Sequence, residues 1–344
     1  MGSQNTIGLT RQRVGLDNFT LALVATVIIA TLLPARGIAA GFFEVATTLA
    51  IALLFFLHGA KLSRAAVIAG ASHWRLHLTV LCSTYGLFPV LGFILKPVLS
   101  PLVTPELYLG VLYLCALPAT VQSSIAFTSI ARGNVPAAIC SASASSFIGV
   151  FLTPVLVGIL IGVQGSGGGV WHAIGKICVQ LLLPFIVGQL MRGWIGAWVD
   201  RNKVLVKVVD QGSILLVVYV AFSASVLQGL WHHTPLRSLA GLLIVNAVLL
   251  TLVLLATRYS ARIQGFGVAD EITTVFCGSK KSLANGVPMA KVLFPGHEVG
   301  LIVMPLILFH QLQLMVCAVL AQRYARRNDT EADPAASAAA TTRR

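Results

Sequence analysis

Charge is what this chain has least of. Only 10% of its 344 residues are Asp, Glu, Lys or Arg, against about 25% in an average soluble domain. That shortage, with 57% hydrophobic residues, excludes a soluble body larger than the joints between apolar runs. Cysteine is sparse as well. Cys82, Cys115, Cys140, Cys178, Cys277 and Cys317 all lie inside apolar runs, and no C-x-x-C pair occurs. This excludes a disulfide framework or a zinc site and leaves the cysteines as small core hydrophobes. A Walker loop, an H-E-x-x-H motif and a Ser/His/Asp set are also missing, so neither ATP-driven transport nor hydrolysis has residues to carry it. The net charge of +13 does not point to nucleic acid, because the basic residues sit between apolar runs rather than on one face. They read as topology signals.

What is there is a series of apolar runs long enough to cross a bilayer. Hydropathy and loop punctuation predict ten spans, at 17–34, 39–59, 76–98, 107–130, 135–162, 171–191, 211–229, 237–257, 269–294 and 299–322. The first is read as a retained helix rather than a cleaved signal, since many more spans follow it. With the N-terminus in the cytoplasm, the inner joints and tail carry Arg11, Arg13, Lys61, Arg64, Arg75, Arg132, Arg192, Arg201, Lys203, Lys207, Arg258, Arg262, Arg323, Arg326, Arg327, Arg343 and Arg344. The outer joints carry Arg36, Lys96, Arg237 and Lys291. That bias predicts a multi-pass protein of the inner membrane with both termini cytoplasmic. The expected organisation is a cytoplasmic segment 1–16, a five-helix repeat 17–162, a Gly-rich linker 163–170, a second five-helix repeat 171–324 and a disordered tail 325–344. An odd number of spans per half forces the halves into opposite orientations, the inverted-repeat plan of secondary transporters.

The ninth span holds the strongest signal, Cys277-Gly278-Ser279-Lys280-Lys281-Ser282-Leu283-Ala284-Asn285-Gly286. An intramembrane lysine costs about 2.5–3.5 kcal/mol on insertion scales, and here two are adjacent. At a rise of 1.5 Å per residue, Lys280 lies about 15 Å beyond Asp270, near the midplane. The Gly and Ser around it predict an interrupted helix. Its free carbonyls can hold a cation or an ammonium, and its free N–H groups an anion. The competing reading is a shifted helix whose lysines snorkel to an interface. Adjacent helical residues diverge by about 100°, so one lysine at most is expected in a cavity, and the pattern does not say which.

The fourth span repeats the logic without charge. Gln122, Ser123 and Ser124 follow Pro118 and Thr120, which predicts either a break or a Pro kink patched by hydroxyls. In the fifth span Ser141 and Ser145 share a face at i, i+4, as ligands or as small-residue packing. Pro154 and Pro305 follow the two polar interruptions at corresponding places. His58, Asn246, His310, Gln311 and Gln313 read as interhelical hydrogen-bonding groups. Asp270 and Glu271 read as acids that suit a helix N-terminus, or alternatively as proton-coupling groups.

Taken together, Ala52 to Ser63 (ALLFFLHGAKLS), Leu112 to Pro154 with Ala131-Arg132-Gly133-Asn134-Val135, and Ala269 to Met289 with its GSKKSLANG core resemble the bile acid:sodium symporter family in its bacterial YfeH-type branch. The resemblance covers residues 15–325. It implies an all-α membrane protein of ten transmembrane helices in two inverted five-helix repeats, with broken, crossing helices 4 and 9. It also implies transport of organic anions by alternating access. Family sodium sites use a Ser-Asn pair, matched here by Ser123 and Ser124, and fifth-helix hydroxyls, matched approximately by Ser141 and Ser145. The family's ninth-helix acid and amide have no counterpart; Lys280 and Lys281 stand in that region. Sodium there would face an ammonium, a repulsion of about 4 kcal/mol at ~4 Å and an effective dielectric near 20.

The expected function is therefore secondary active transport of a small organic anion. Gln122, Ser123, Ser124, Ser141, Ser145, Ser279, Lys280, Lys281 and Ser282 form its substrate and ion site, with one lysine in the place of a sodium ion. The expected partners are the organic anion and the lipid bilayer, with no nucleic acid, no cofactor, and Na+ or H+ as the coupling ion. Two alternatives stand beside this: sodium symport through a rearranged site near Ser123, Ser124, Ser141 and Ser145, or a non-transporting sensor on the same fold.

Overall fold

The computed structural model describes residues 18–61, 73–161, 169–227, 235–294 and 298–326. The segment expected at 1–16, the linker up to residue 168 and the tail from residue 327 lie outside the described residues. So do the side chains of residues 162–182, Lys176 and Cys178 among them.

The regular structure among the described residues is helical throughout, with no strand. In chain order the helices are α1 (Asn18–Leu32), α2 (Gly37–Lys61), α3 (Trp74–Ile94), α4 (Pro105–Ala116), α5 (Gln122–Ile130) and α6 (Val135–Ile161). They continue with α7 (Gly169–Arg201), α8 (Lys203–Leu227), α9 (Leu236–Ile263), α10 (Val268–Gly278), α11 (Leu283–Leu293) and α12 (Val299–Ala325). Six of them, α2, α3, α6, α8, α9 and α12, are long and apolar enough to cross a membrane. On α2 the residues Ile38, Phe42, Val45, Leu49 and Leu53 recur at helical spacing and are all exposed. An outward apolar stripe of that length suits hydrocarbon, not water.

The spans expected at 107–130 and 269–294 are each two half-helices, α4 with α5 and α10 with α11. Each pair is followed by a long helix with an internal proline, Pro154 in α6 and Pro305 in α12. The starts of these elements are locally encoded. Thr104 accepts the Leu107 N–H before Pro105 opens α4, Asn134 Oδ1 accepts the Ala137 N–H at the head of α6, and Ser282 Oγ accepts the Asn285 N–H at the head of α11. The third span, expected as an unbroken helix over 76–98, differs. It carries a π-helical turn at Ser83–Leu87 and gives way to single turns after Ile94.

Where little hydrophobic drive exists between helices, close packing replaces it. A methyl group at Gly59 of α2 would overlap the Phe185 carbonyl of α7, and one at Gly188 of α7 would overlap the Phe56 carbonyl of α2. Gly59→Val is accordingly expected to destabilise the protein by about 1–3 kcal/mol. It would appear as a lower thermal unfolding temperature in detergent, while Gly193→Val, where nothing lies near the added carbon, would leave it unchanged.

Candidate functional site

The two helix breaks meet, and the meeting point is built almost entirely from backbone. A helix that ends inside a membrane leaves its last carbonyls without partners, and each must find one. At the end of α10 the Val275, Phe276 and Gly278 carbonyls are met by hydroxyls from three elements. Ser279 Oγ donates to Val275 O at 2.6 Å, Ser124 Oγ of α5 to Phe276 O at 3.1 Å, and Ser83 Oγ of α3 to Gly278 O at 2.9 Å. At the end of α4 the same need is met differently. Thr153 Oγ1 of α6 donates to Ala116 O at 2.9 Å, and the Ser282 N–H crosses to Pro118 O at 2.9 Å. The Cys115 and Leu117 carbonyls remain, and both receive Lys281.

Lys281 has no solvent exposure. Its Nζ donates to Thr84 O at 2.8 Å, Cys115 O at 2.8 Å and Leu117 O at 2.7 Å, with the Phe88 ring face 4.1 Å away. An ammonium has three N–H groups, so all of them are used. The Thr84 carbonyl is available for a reason written in the sequence. Within the π turn the Phe88 N–H bonds to Ser83 O, five residues back. The next bond in that register would run from residue 89 to Thr84 O, but residue 89 is proline and has no N–H. The backbone of the break is clamped from α12, where Gln313 Oε1 accepts the Lys281 N–H at 2.9 Å and Nε2 donates to Lys281 O at 3.1 Å.

Lys280 is equally buried and points elsewhere, as consecutive side chains do in a non-helical segment. Among the described residues its Nζ has no oxygen or nitrogen acceptor, only the weak sulfur acceptor of Cys317. It lies 4.0 Å from the centre of the Phe127 ring and 6.0 Å from that of Phe276, with Cys317 beside it. Neither lysine snorkels to an interface.

The model of the SBF-like CPA transporter family matches residues 17–326. The chain belongs to this transporter family. An uncharacterized protein of Pseudomonas aeruginosa is 65% identical over 330 residues, covering 96% of this chain and 99% of its own length. "Putative symporter YfeH" of Escherichia coli is 59% identical over 317 residues, covering 91% of this chain and 94% of its own. Sodium/bile acid cotransporter 7 of Rattus norvegicus is 29% identical over 315 residues, covering 90% and 92%.

Within this family member the expected site serines are all engaged. Ser123 pairs with Thr120 at 2.6 Å, and Thr120 also lies 3.4 Å from Ser124. Ser141 pairs with His77 Nδ1 at 2.6 Å, and Ser145 Oγ accepts the Ala119 N–H at 3.1 Å. Gln122, at the first position of α5, is exposed and stands apart from this buried network. Asp270 and Glu271 do more than suit a helix dipole. Asp270 accepts Asn134 Nδ2 at 2.8 Å, while Glu271 accepts Arg258 Nε at 3.2 Å, Arg262 Nε at 3.1 Å and the Tyr324 hydroxyl at 2.9 Å. Asn246 is an interhelical group, as expected, donating to Pro305 O at 3.1 Å.

Sequence reasoning did not single out Ser83, Thr84, Phe88, Phe127 or Phe276, and it read Gln313 only as a generic interhelical group. One available signal was Ser83-Thr84-Tyr85-Gly86 followed by Pro89 inside an otherwise apolar span. Tyr85 also joins this region, donating from its hydroxyl to Ser145 O at 2.6 Å.

Proposed function

We propose that this chain is a secondary active transporter of the inner membrane that moves a small organic anion by alternating access, and that the Lys281 ammonium occupies the position of a bound cation. The single observation that carries the proposal is the seat of Lys281. Three backbone carbonyls and a ring face surround one nitrogen where two interrupted helices cross, a coordination shell that suits a monovalent cation. The frame is taken to be ten helices in two inverted five-helix repeats, 17–162 and 171–324, with both termini cytoplasmic. The recurrence of half-helix pair and proline-bearing helix supports that plan, as does the family. The printed names of two relatives, a symporter and a sodium/bile acid cotransporter, support solute transport as the activity.

A tethered cation changes the coupling problem. Because Lys281 is covalently attached, it cannot be carried across with the substrate. The driving ion is then either a proton or a sodium ion held elsewhere, near the Ser123, Ser124, Ser141 and Ser145 hydroxyls. The names of the cotransporter relatives favour that second reading. Uptake of labelled taurocholate and smaller organic anions into proteoliposomes, under a pH gradient alone and a sodium gradient alone, tests the proposal. Accumulation without sodium is expected. Accumulation that requires sodium would move the coupling to the hydroxyl set, and no uptake or counterflow of any anion would leave a non-transporting sensor on this fold.

A further inference from the structure

The two lysines are adjacent in sequence and unequal in bonding. Lys281 has an oxygen acceptor for each of its N–H groups, whereas Lys280, with 0% exposure, has among the described residues only the weak sulfur acceptor of Cys317. Lys280 is held by ring faces, which attract a cation through their quadrupole but offer no lone pair along a hydrogen-bond direction. The titratable groups that bear on it are the thiols of Cys317 on α12 and Cys277 near the end of α10, and no carboxylate is among them. A buried polar group with most of its bonding capacity unused is a place where a ligand's acceptor gains most.

The rings around it are not equivalent either. Phe276 is fully buried in α10, while Phe127 of α5, the ring nearer the amine at 4.0 Å, is half-buried. Phe127 and Ser124 are at i, i+3 on one face of α5, and the Ser124 hydroxyl bonds to the Phe276 carbonyl. A shift of α5 against α10 that breaks this bond would move the Phe127 ring relative to the amine.

We infer that Lys280 is the docking point for the carboxylate of the transported molecule and that the Phe127 ring is the shutter over it, closed in this structure. This deepens the transport reading and rests on it for the word transported; the docking itself does not. In the closed arrangement the ring holds the amine in place. When α5 moves, a carboxylate replaces the ring and takes the N–H groups that the ring could not. Lys281, already saturated, plays no part in recognition. The division is between a fixed cation that holds the crossover together and a free one that meets the substrate.

The test uses the full-length protein in detergent, with benzoate as the anionic probe and benzamide as its uncharged counterpart. A water-soluble amine-acylating reagent is applied, and modification of Lys280 is read by peptide mass spectrometry. Phe127→Ala is expected to raise labelling of Lys280 roughly tenfold over the wild type. Benzoate should suppress that labelling, and benzamide should not. Phe127→Leu, a milder change, should fall between. In proteoliposomes Lys280→Gln is expected to raise the KM for the transported anion by about tenfold while leaving the thermal unfolding temperature close to that of the wild type. Lys280 labelling unchanged by Phe127→Ala and Phe127→Leu, or equal protection by benzamide, would overturn the docking role. So would an unaltered KM in a transporting Lys280→Gln protein. If the wild type transports nothing while benzoate still protects Lys280, the transport reading falls and the docking site stands.

Discussion

Replacing Lys281 by alanine is expected to abolish transport and to destabilise the protein by on the order of 3–5 kcal/mol, the range for breaking a buried charged interaction. The variant leaves the Thr84, Cys115 and Leu117 carbonyls buried without donors, at about 1–3 kcal/mol each before relaxation. It also empties the volume of a long side chain beneath the Phe88 ring. Thermal unfolding in detergent measures the loss, and the cation reading makes a sharper demand on the same experiment. The wild type, with its cage filled by the ammonium, should unfold at the same temperature in sodium and in a bulky organic cation such as N-methylglucamine. Lys281→Ala should be restored in part by sodium or methylammonium, each able to enter the vacated cage. Lys281→Arg should not rescue, because a planar guanidinium cannot aim all its donors at three carbonyls converging on one nitrogen. A Lys281→Ala protein as stable as the wild type, and indifferent to these cations, would show that the carbonyls have other partners and that the ammonium is incidental.

The second large effect is expected at Gln313. Its amide accepts from the Lys281 N–H through one atom and donates to the Lys281 carbonyl through another, holding the interrupted segment at a fixed height beside α12. Gln313→Leu keeps the volume but strands one buried donor and one buried acceptor, a loss of about 2–4 kcal/mol. Gln313→Glu separates geometry from charge: a carboxylate still accepts from the N–H but faces the carbonyl oxygen with its own lone pairs. Unfolding temperatures are expected in the order wild type, Gln313→Glu, Gln313→Leu, with the His310 contact at 2.9 Å also lost in the last. If Gln313→Leu unfolds at the wild-type temperature, the clamp contributes nothing and the break is held by its cross-links to α3, α4 and α5.

Much of this was legible in the residues. Apolar length located the helices, because a bilayer imposes its thickness on any segment that crosses it. Pro118, Gly278 and Ser279 marked the two interruptions, since proline and glycine disrupt a helix for local steric and hydrogen-bonding reasons that need no tertiary partner. The cost of an intramembrane lysine drew attention to Lys280 and Lys281 for the same reason: it is a property of the side chain and its solvent. The π turn in α3 was not read, because Pro89 was passed over within an apolar run.

What the pair does was decided elsewhere. The acceptors of Lys281 are the main-chain oxygens of residues 197, 166 and 164 positions away, and a carbonyl looks the same under every side chain. No residue type announces such a cage. Nor could helical geometry tell which lysine would be saturated and which left on a ring face, because residues 279–282 are not helical and the angle between their side chains follows from how the break docks. By itself, then, the sequence determined that two adjacent lysines stand at the interruption of an apolar helix. Only the folding of α3, α4, α5 and α12 around that interruption decided that Lys281 finds three carbonyl acceptors and Lys280 only ring faces and a thiol. The physical reason is that hydrogen bonding to backbone is set by proximity in space, and local chemistry carries no record of it.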